Sequence, residues 1–191
     1  MAKRYIKIHP KMITEWPKLS RNQILMCLVL FYSDTELLNN FKKKYYGKSK
    51  LRYLKDIKRI KEYGVYLNEM VYYNDNAELK RTYMKLKIST LKLILDNNMK
   101  KQELLVMLYL LWKYQFTYRR EFTIGVKELL KEVFNYERHN ITPYKRVLFK
   151  TLDLLKSWVY EDGAVFVKGY TIIGDRVRIE LEEAVKRRAK R

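Results

Sequence analysis

Phe122-Thr-Ile-Gly-Val-Lys-Glu-Leu-Leu-Lys-Glu-Val-Phe134, followed after residues 135–141 by Thr142-Pro-Tyr-Lys-Arg-Val-Leu-Phe-Lys-Thr-Leu-Asp-Leu-Leu155, is the stretch on which the fold turns. In the first segment Val126, Leu129, Leu130 and Val133 recur at helical spacing and make one apolar stripe. In the second, Thr142 is an N-cap and Pro143 takes the first helical position, where a missing N–H removes no hydrogen bond. This helix is predicted to run to about Trp158, and Gly163 ends the region. Residues 164–173 and 176–181, joined by Gly174-Asp175, are predicted as a β-hairpin, because Val177, Ile179 and Leu181 alternate with Arg176, Arg178 and Glu180. The predicted helix divides into two sides. Val147, Leu148, Thr151, Leu152, Leu154, Leu155, Trp158 and Val159 form one; Lys145, Arg146, Phe149, Lys150 and Asp153 form the other.

Upstream, the chain repeats itself at an offset of about 80 residues. Ile6-Lys7-Ile8 lies over Leu86-Lys87-Ile88, and residues 19–32 lie over 99–112 with the same polar or apolar character at every position. The first copy follows the same order of helix, helix, helix, hairpin. Ser33 and Glu36 give a capping-box signal for a short helix through Leu37, Leu38 and Phe41. Ser49 caps a third helix over 50–63, stopped by Gly64. Residues 65–73 and 81–88 form the first hairpin, with Asn74-Asp75-Asn76 at its tip. The expected fold class is α+β, mainly α, with domains at 1–85 and 86–181 and a basic tail at 182–191.

The second copy resembles a winged helix-turn-helix domain, and the duplication resembles two groups carried by mobile elements. One is the plasmid replication initiators with tandem winged helices; the other is the internal-dimer winged-helix regulators of Gram-positive conjugative plasmids. The resemblance implies that each second helix supports, each third helix enters a DNA major groove, and each hairpin wing touches backbone or minor groove. It implies a sequence-specific double-stranded DNA-binding protein of a plasmid or other mobile element, acting in replication initiation or in regulation and DNA processing such as conjugation. The alternative is a basic scaffold whose winged helices mainly bind protein.

In the second copy the candidate DNA contacts are Lys145, Arg146 and Lys150 on the third helix, with Phe149 placed either against a thymine methyl or in packing. Lys168, Tyr170, Arg176 and Arg178 flank the wing tip. In the first copy Arg52, Lys55 and Arg59 line one face of the third helix, opposite Leu51, Leu54, Ile57 and Ile60, and Lys50 lies at its start. Lys42, Lys43, Lys44 and Lys48 add charge where a turn is expected to cross the phosphates. Lys186-Arg-Arg-Ala-Lys-Arg191 adds sequence-independent phosphate affinity to a helix that begins at Glu182 and Glu183.

Composition agrees with this reading. The 191 residues hold 41 Lys+Arg against 21 Asp+Glu, a net charge of +20, which points to a polyanionic partner. With 48% apolar and 14% aromatic residues, 6 Gly and 3 Pro, the chain is a folding sequence rather than a basic disordered tail. Its longest apolar runs, Ile24 to Tyr32 and Leu104 to Trp112, are nine residues each, half of a bilayer crossing. No membrane contact is expected. Cys27 alone makes no disulfide scaffold, and the N-terminus lacks the apolar core of a secretion signal, so a cytoplasmic protein is expected.

Enzyme chemistry is not expected. His9 and His139 stand far apart, His139 is followed by Asn140, Ile141 and Thr142 rather than a His-x-x-Arg pattern, and Asp75 with Glu78 has no second acidic cluster. No phosphate-binding glycine loop occurs. No cofactor, metal or small-molecule ligand is expected. The expected partner is double-stranded DNA, with a second copy or a replication or transfer protein beside it.

Overall fold

Ile6 and Ile8, two positions apart, are buried on one face of strand β1 (Tyr5–Ile8), and Met84 and Leu86 are buried on one face of β2 (Met84–Lys87). The strands pair antiparallel, Ile6 opposite Leu86 and Ile8 opposite Met84. The computed structural model describes residues 5–8, 15–32, 35–60, 84–117, 120–136, 141–156 and 165–183. Among these the fold is α+β and mainly helical, with seven α-helices and two small sheets. The chain divides into two units, Met1–Ile88 and Ser89–Arg191.

In the first unit a single 3-10 turn, Trp16–Lys18, precedes α1 (Arg21–Tyr32). A reciprocal cap starts α1: the Gln23 N–H donates to Ser20 Oγ at 3.3 Å, and the Ser20 N–H donates to Gln23 Oε1 at 3.0 Å. Residues 24–29 are all buried, so α1 is the central helix of the unit rather than a surface helix. It packs against β1 and against α2 (Thr35–Tyr46). Gly47, at φ +53°, makes the left-handed turn out of α2, and α3 follows over residues 50–60. Asp56 of α3 ties the three helices together. It accepts from Gln23 Nε2 at 2.7 Å and from the Tyr46 hydroxyl at 2.8 Å.

The second unit begins with α4 (Ile88–Asp96) and α5 (Lys101–Thr117). At α5 the Lys100 N–H donates to Glu103 Oε2 at 2.7 Å, and the Leu104 N–H reaches the Lys100 carbonyl at 3.0 Å. Eighty residues earlier the Ser20 N–H bonds to Gln23, and the Ile24 N–H reaches the Ser20 carbonyl at 3.0 Å. The repeat in sequence is thus also a repeat of atomic contacts at these two helix starts. Strand β3 (Glu121–Gly125) leads into α6 (Val126–Phe134), which ends on Asn135 at φ +53°. Then come α7 (Thr142–Lys156), β4 (Val165–Ile173) and β5 (Arg176–Glu183). The sheet order is β3-β5-β4, all antiparallel. Helix α5 packs against α6, α7 and β4, and Leu129, Leu130, Leu148, Leu152, Val177 and Ile179 are among the residues of that core with no exposed surface. Tyr109 of α5 donates its hydroxyl to Glu132 of α6, whose carboxylate also lies 3.4 Å from Lys113 Nζ.

Several expectations need correction. The second unit carries a strand, β3, that the order of three helices and a hairpin omits; Ile124 is buried while Thr123 is exposed, the alternation of a half-buried strand. Leu86-Lys87-Ile88 does not open the second copy. Leu86 and Lys87 belong to the first unit's sheet, and Ile88 begins α4, because Leu91, Ile94 and Leu95 recur at helical spacing and are buried. The α2 helix is twelve residues long, so Lys42, Lys43 and Lys44 lie on its last turns and only Lys48 lies in a turn. Leu51, Leu54, Val147 and Leu154 are exposed rather than core. Glu182 and Glu183 end β5, opposite Phe166 and Val165, and do not start a helix. Ser33, Trp158, Val159, Gly163, His139, residues 61–83 and the tail beyond 183 lie outside the described residues.

Candidate nucleic-acid interface

Helix α7 is held by Leu148, Thr151, Leu152 and Leu155, all buried. A helix turns about 100° per residue, so these four leave Arg146 and Lys150 on the outer side, and both are exposed. Lys145, a quarter-turn away, is half-buried. Phe149 does not project into solvent. Its ring stacks on Tyr170 of β4, centroids 5.7 Å apart and planes 12° apart. The Tyr170 hydroxyl donates to Asp153 Oδ1 at 2.9 Å. These three side chains latch the outer edge of α7 to the hairpin. Phe149 and Tyr170 therefore hold helix and hairpin together, a result of the inward face that β4 shares with Ile179 at Tyr170.

The hairpin presents the remaining candidate cations of the second unit. Lys168 is the extra residue at a β-bulge between Val167 and Gly169, and it is exposed. Gly174 carries the φ of +61° that the two-residue turn requires. Next to it the Asp175 carbonyl accepts from the Val126 N–H at 2.8 Å, so the turn caps α6. Arg176 is exposed. Arg178 is not a free cation: its guanidinium lies 2.6 Å from Glu121 on β3, and that carboxylate raises the arginine's already high pKa.

In the first unit Lys50, Arg52, Lys55 and Arg59 are exposed on α3, as are Lys43, Lys44 and Lys48 before it. Lys42 Nζ sits 4.4 Å above the Tyr53 ring, and Arg21 sits 5.1 Å above the Tyr45 ring. Sequence reading passed over Lys58, Lys127, Lys131 and Lys156, all exposed on α3, α6 and α7. The signal was present at Lys127 and Lys131, which stand at i, i+4 opposite the apolar stripe of α6. Among the described residues no group of three His, Cys, Asp or Glu is placed to hold a metal ion, and no helix is long and apolar enough to cross a membrane.

No family model, curated protein or solved structure matches the chain.

Three tyrosines give the fold a pH dependence. Burial, followed by the Asp56 carboxylate for Tyr46 and the Glu132 carboxylate for Tyr109, pushes both phenols well above their usual range. Burial and Asp153 raise Tyr170 to about 12. A raised pKa in the folded state means that the folded chain holds the proton more tightly than the unfolded one. These contributions are present below the ordinary phenol value of 10.0 and are lost progressively above it, that of Tyr170 as pH climbs through about 12. Urea denaturation across pH 8 to 12 is expected to give a flat stability up to about pH 10 and a fall above it; a flat profile throughout would contradict the three hydrogen bonds.

Proposed function

We propose that this chain is a sequence-specific double-stranded DNA-binding protein with two winged-helix units, serving a plasmid or other mobile element in replication initiation or in regulation and DNA processing. One observation carries the reading: in the second unit α6 and α7 are followed by a hairpin latched onto α7 through Phe149, Asp153 and Tyr170. That latch sets the wing beside a helix whose outer side offers Arg146 and Lys150, with Lys168 and Arg176 on the hairpin itself. Arginine binds guanine bidentately and gives base preference, whereas a wing lysine neutralises phosphate and gives none. The shared helix-start contacts of α1 and α5 support the duplication.

Arg146→Ala is expected to lower duplex affinity by about 1 to 3 kcal/mol and to relax preference at one or two base pairs. Lys168→Ala is expected to weaken all sequences alike. Fluorescence anisotropy on a panel of single-base variants measures both, and uniform loss in both mutants would remove α7 as the reader. Footprinting on DNA from the chain's own replicon then decides the role: repeated sites at an origin mean initiation, and a site over a promoter or transfer origin means regulation or processing.

A further inference from the structure

Helix α3 of the first unit turns leucines to solvent: Leu51 is 84% exposed and Leu54 is 48% exposed. Scattered exposed leucines are ordinary, so the surroundings matter. The same helix buries Ile60 and turns Asp56, the one acidic residue among its described positions, inward to Gln23 and Tyr46. Left on the outside are Lys50, Arg52, Lys55, Lys58 and Arg59, all exposed. At about 100° per residue Leu51 falls between Lys55 and Lys58, with Leu54 beside Lys58. Among the described residues the face is an apolar centre within a ring of cations, and no carboxylate of α3 up to Ile60 offsets them.

A second copy of the chain would bring the same cations face to face. B-form DNA complements both parts of the pattern. Its major groove admits a helix, its rims are phosphate, and the thymine C5-methyl is the apolar group on its base edges. Leu51 and Leu54 also lie near the helix N-terminus, the end from which reading helices contact bases. We infer that α3 reads thymine: Leu51 and Leu54 cover C5-methyl groups while the surrounding lysines and arginines hold the flanking phosphates. The inference rests on the DNA-binding reading above and adds to it which bases the first unit selects.

The test uses the full chain. Duplexes are selected from a random-sequence pool, and the best binder is remade with deoxyuridine in place of thymine at one position at a time, which removes only a methyl group. At each contacted thymine the expected loss is about three- to fivefold in affinity, the effect of one buried methyl. In Leu51→Ala/Leu54→Ala the thymine duplex is expected to bind about tenfold more weakly, and the uridine penalty is expected to vanish. The unaltered protein alone can refute the idea. Tight, salt-dependent binding that ignores every thymine-to-uridine change would overturn thymine reading and leave DNA binding standing. Enrichment of no duplex would overturn both. A double variant that binds DNA like the original but loses self-association or a protein partner would assign the leucines to protein instead.

Discussion

Duplex binding by the full chain is expected to weaken by about a thousandfold to a hundred-thousandfold when salt rises from about 50 to about 200 mM. The net charge of +20 is the basis of this expectation. Each lysine or arginine that neutralises a phosphate releases a counterion, giving a slope of about −0.9 per contact in a plot of log affinity against log salt. Lys50, Arg52, Lys55 and Arg59 on α3, Arg146 and Lys150 on α7, and Lys168 and Arg176 on the hairpin are exposed, which fits roughly 6 to 10 contacts. Lys150→Ala is expected to reduce the slope by about one contact. Arg178→Ala is expected to leave it unchanged, because Glu121 already pairs that guanidinium. A slope near zero for the unaltered chain would sink the DNA reading.

The second large effect contrasts two leucines of opposite exposure. Leu152→Ala is expected to destabilise the second unit by about 2 to 5 kcal/mol, since Leu152 has no exposed surface and truncation leaves a cavity between α7 and its neighbours. Against a total stability of about 5 to 15 kcal/mol for a domain, that is enough to remove a large part of its margin. Leu51→Ala is expected to change stability by no more than about 0.5 kcal/mol, because the side chain it shortens is already in water. Urea denaturation measures both. A cost for Leu51→Ala comparable to that of Leu152→Ala would mean that the outer side of α3 is packed, and the thymine inference would lose its footing.

The same leucines show where sequence reading stops. Leu51, Leu54, Ile57 and Ile60 recur every third residue, which looks like a stripe. A step of three turns a helix by about 300°, so each member falls about 60° behind the last and the first lies opposite the fourth. Ile60 is accordingly buried and Leu51 is not. Helix α7 was legible because Thr142-Pro143 marks its start and Leu148, Leu152 and Leu155 recur at true helical spacing. The hairpin was legible from the alternation of Val177, Ile179 and Leu181 in β5, whereas the bulge at Lys168 in β4 was not. The Phe149–Tyr170 stack and the Tyr170–Asp153 bond join residues 17 to 21 positions apart across two elements, and no periodicity reports them. The Arg178–Glu121 pair escaped sequence reading for a related reason: Glu121 sits on β3, which reads as a lead-in to α6 until Phe122 and Ile124 are seen to alternate with Thr123.

Asp153 is the one acidic residue of α7, and it accepts the Tyr170 hydroxyl. On the DNA-binding proposal, a tighter binder would be sought by replacing it first, since a lysine there would add charge beside Arg146 and Lys150. That exchange would also cut the tether on the hairpin. Helix charge and hairpin angle are thus not independent variables in this protein, and a search for stronger variants would have to change Tyr170 in the same step.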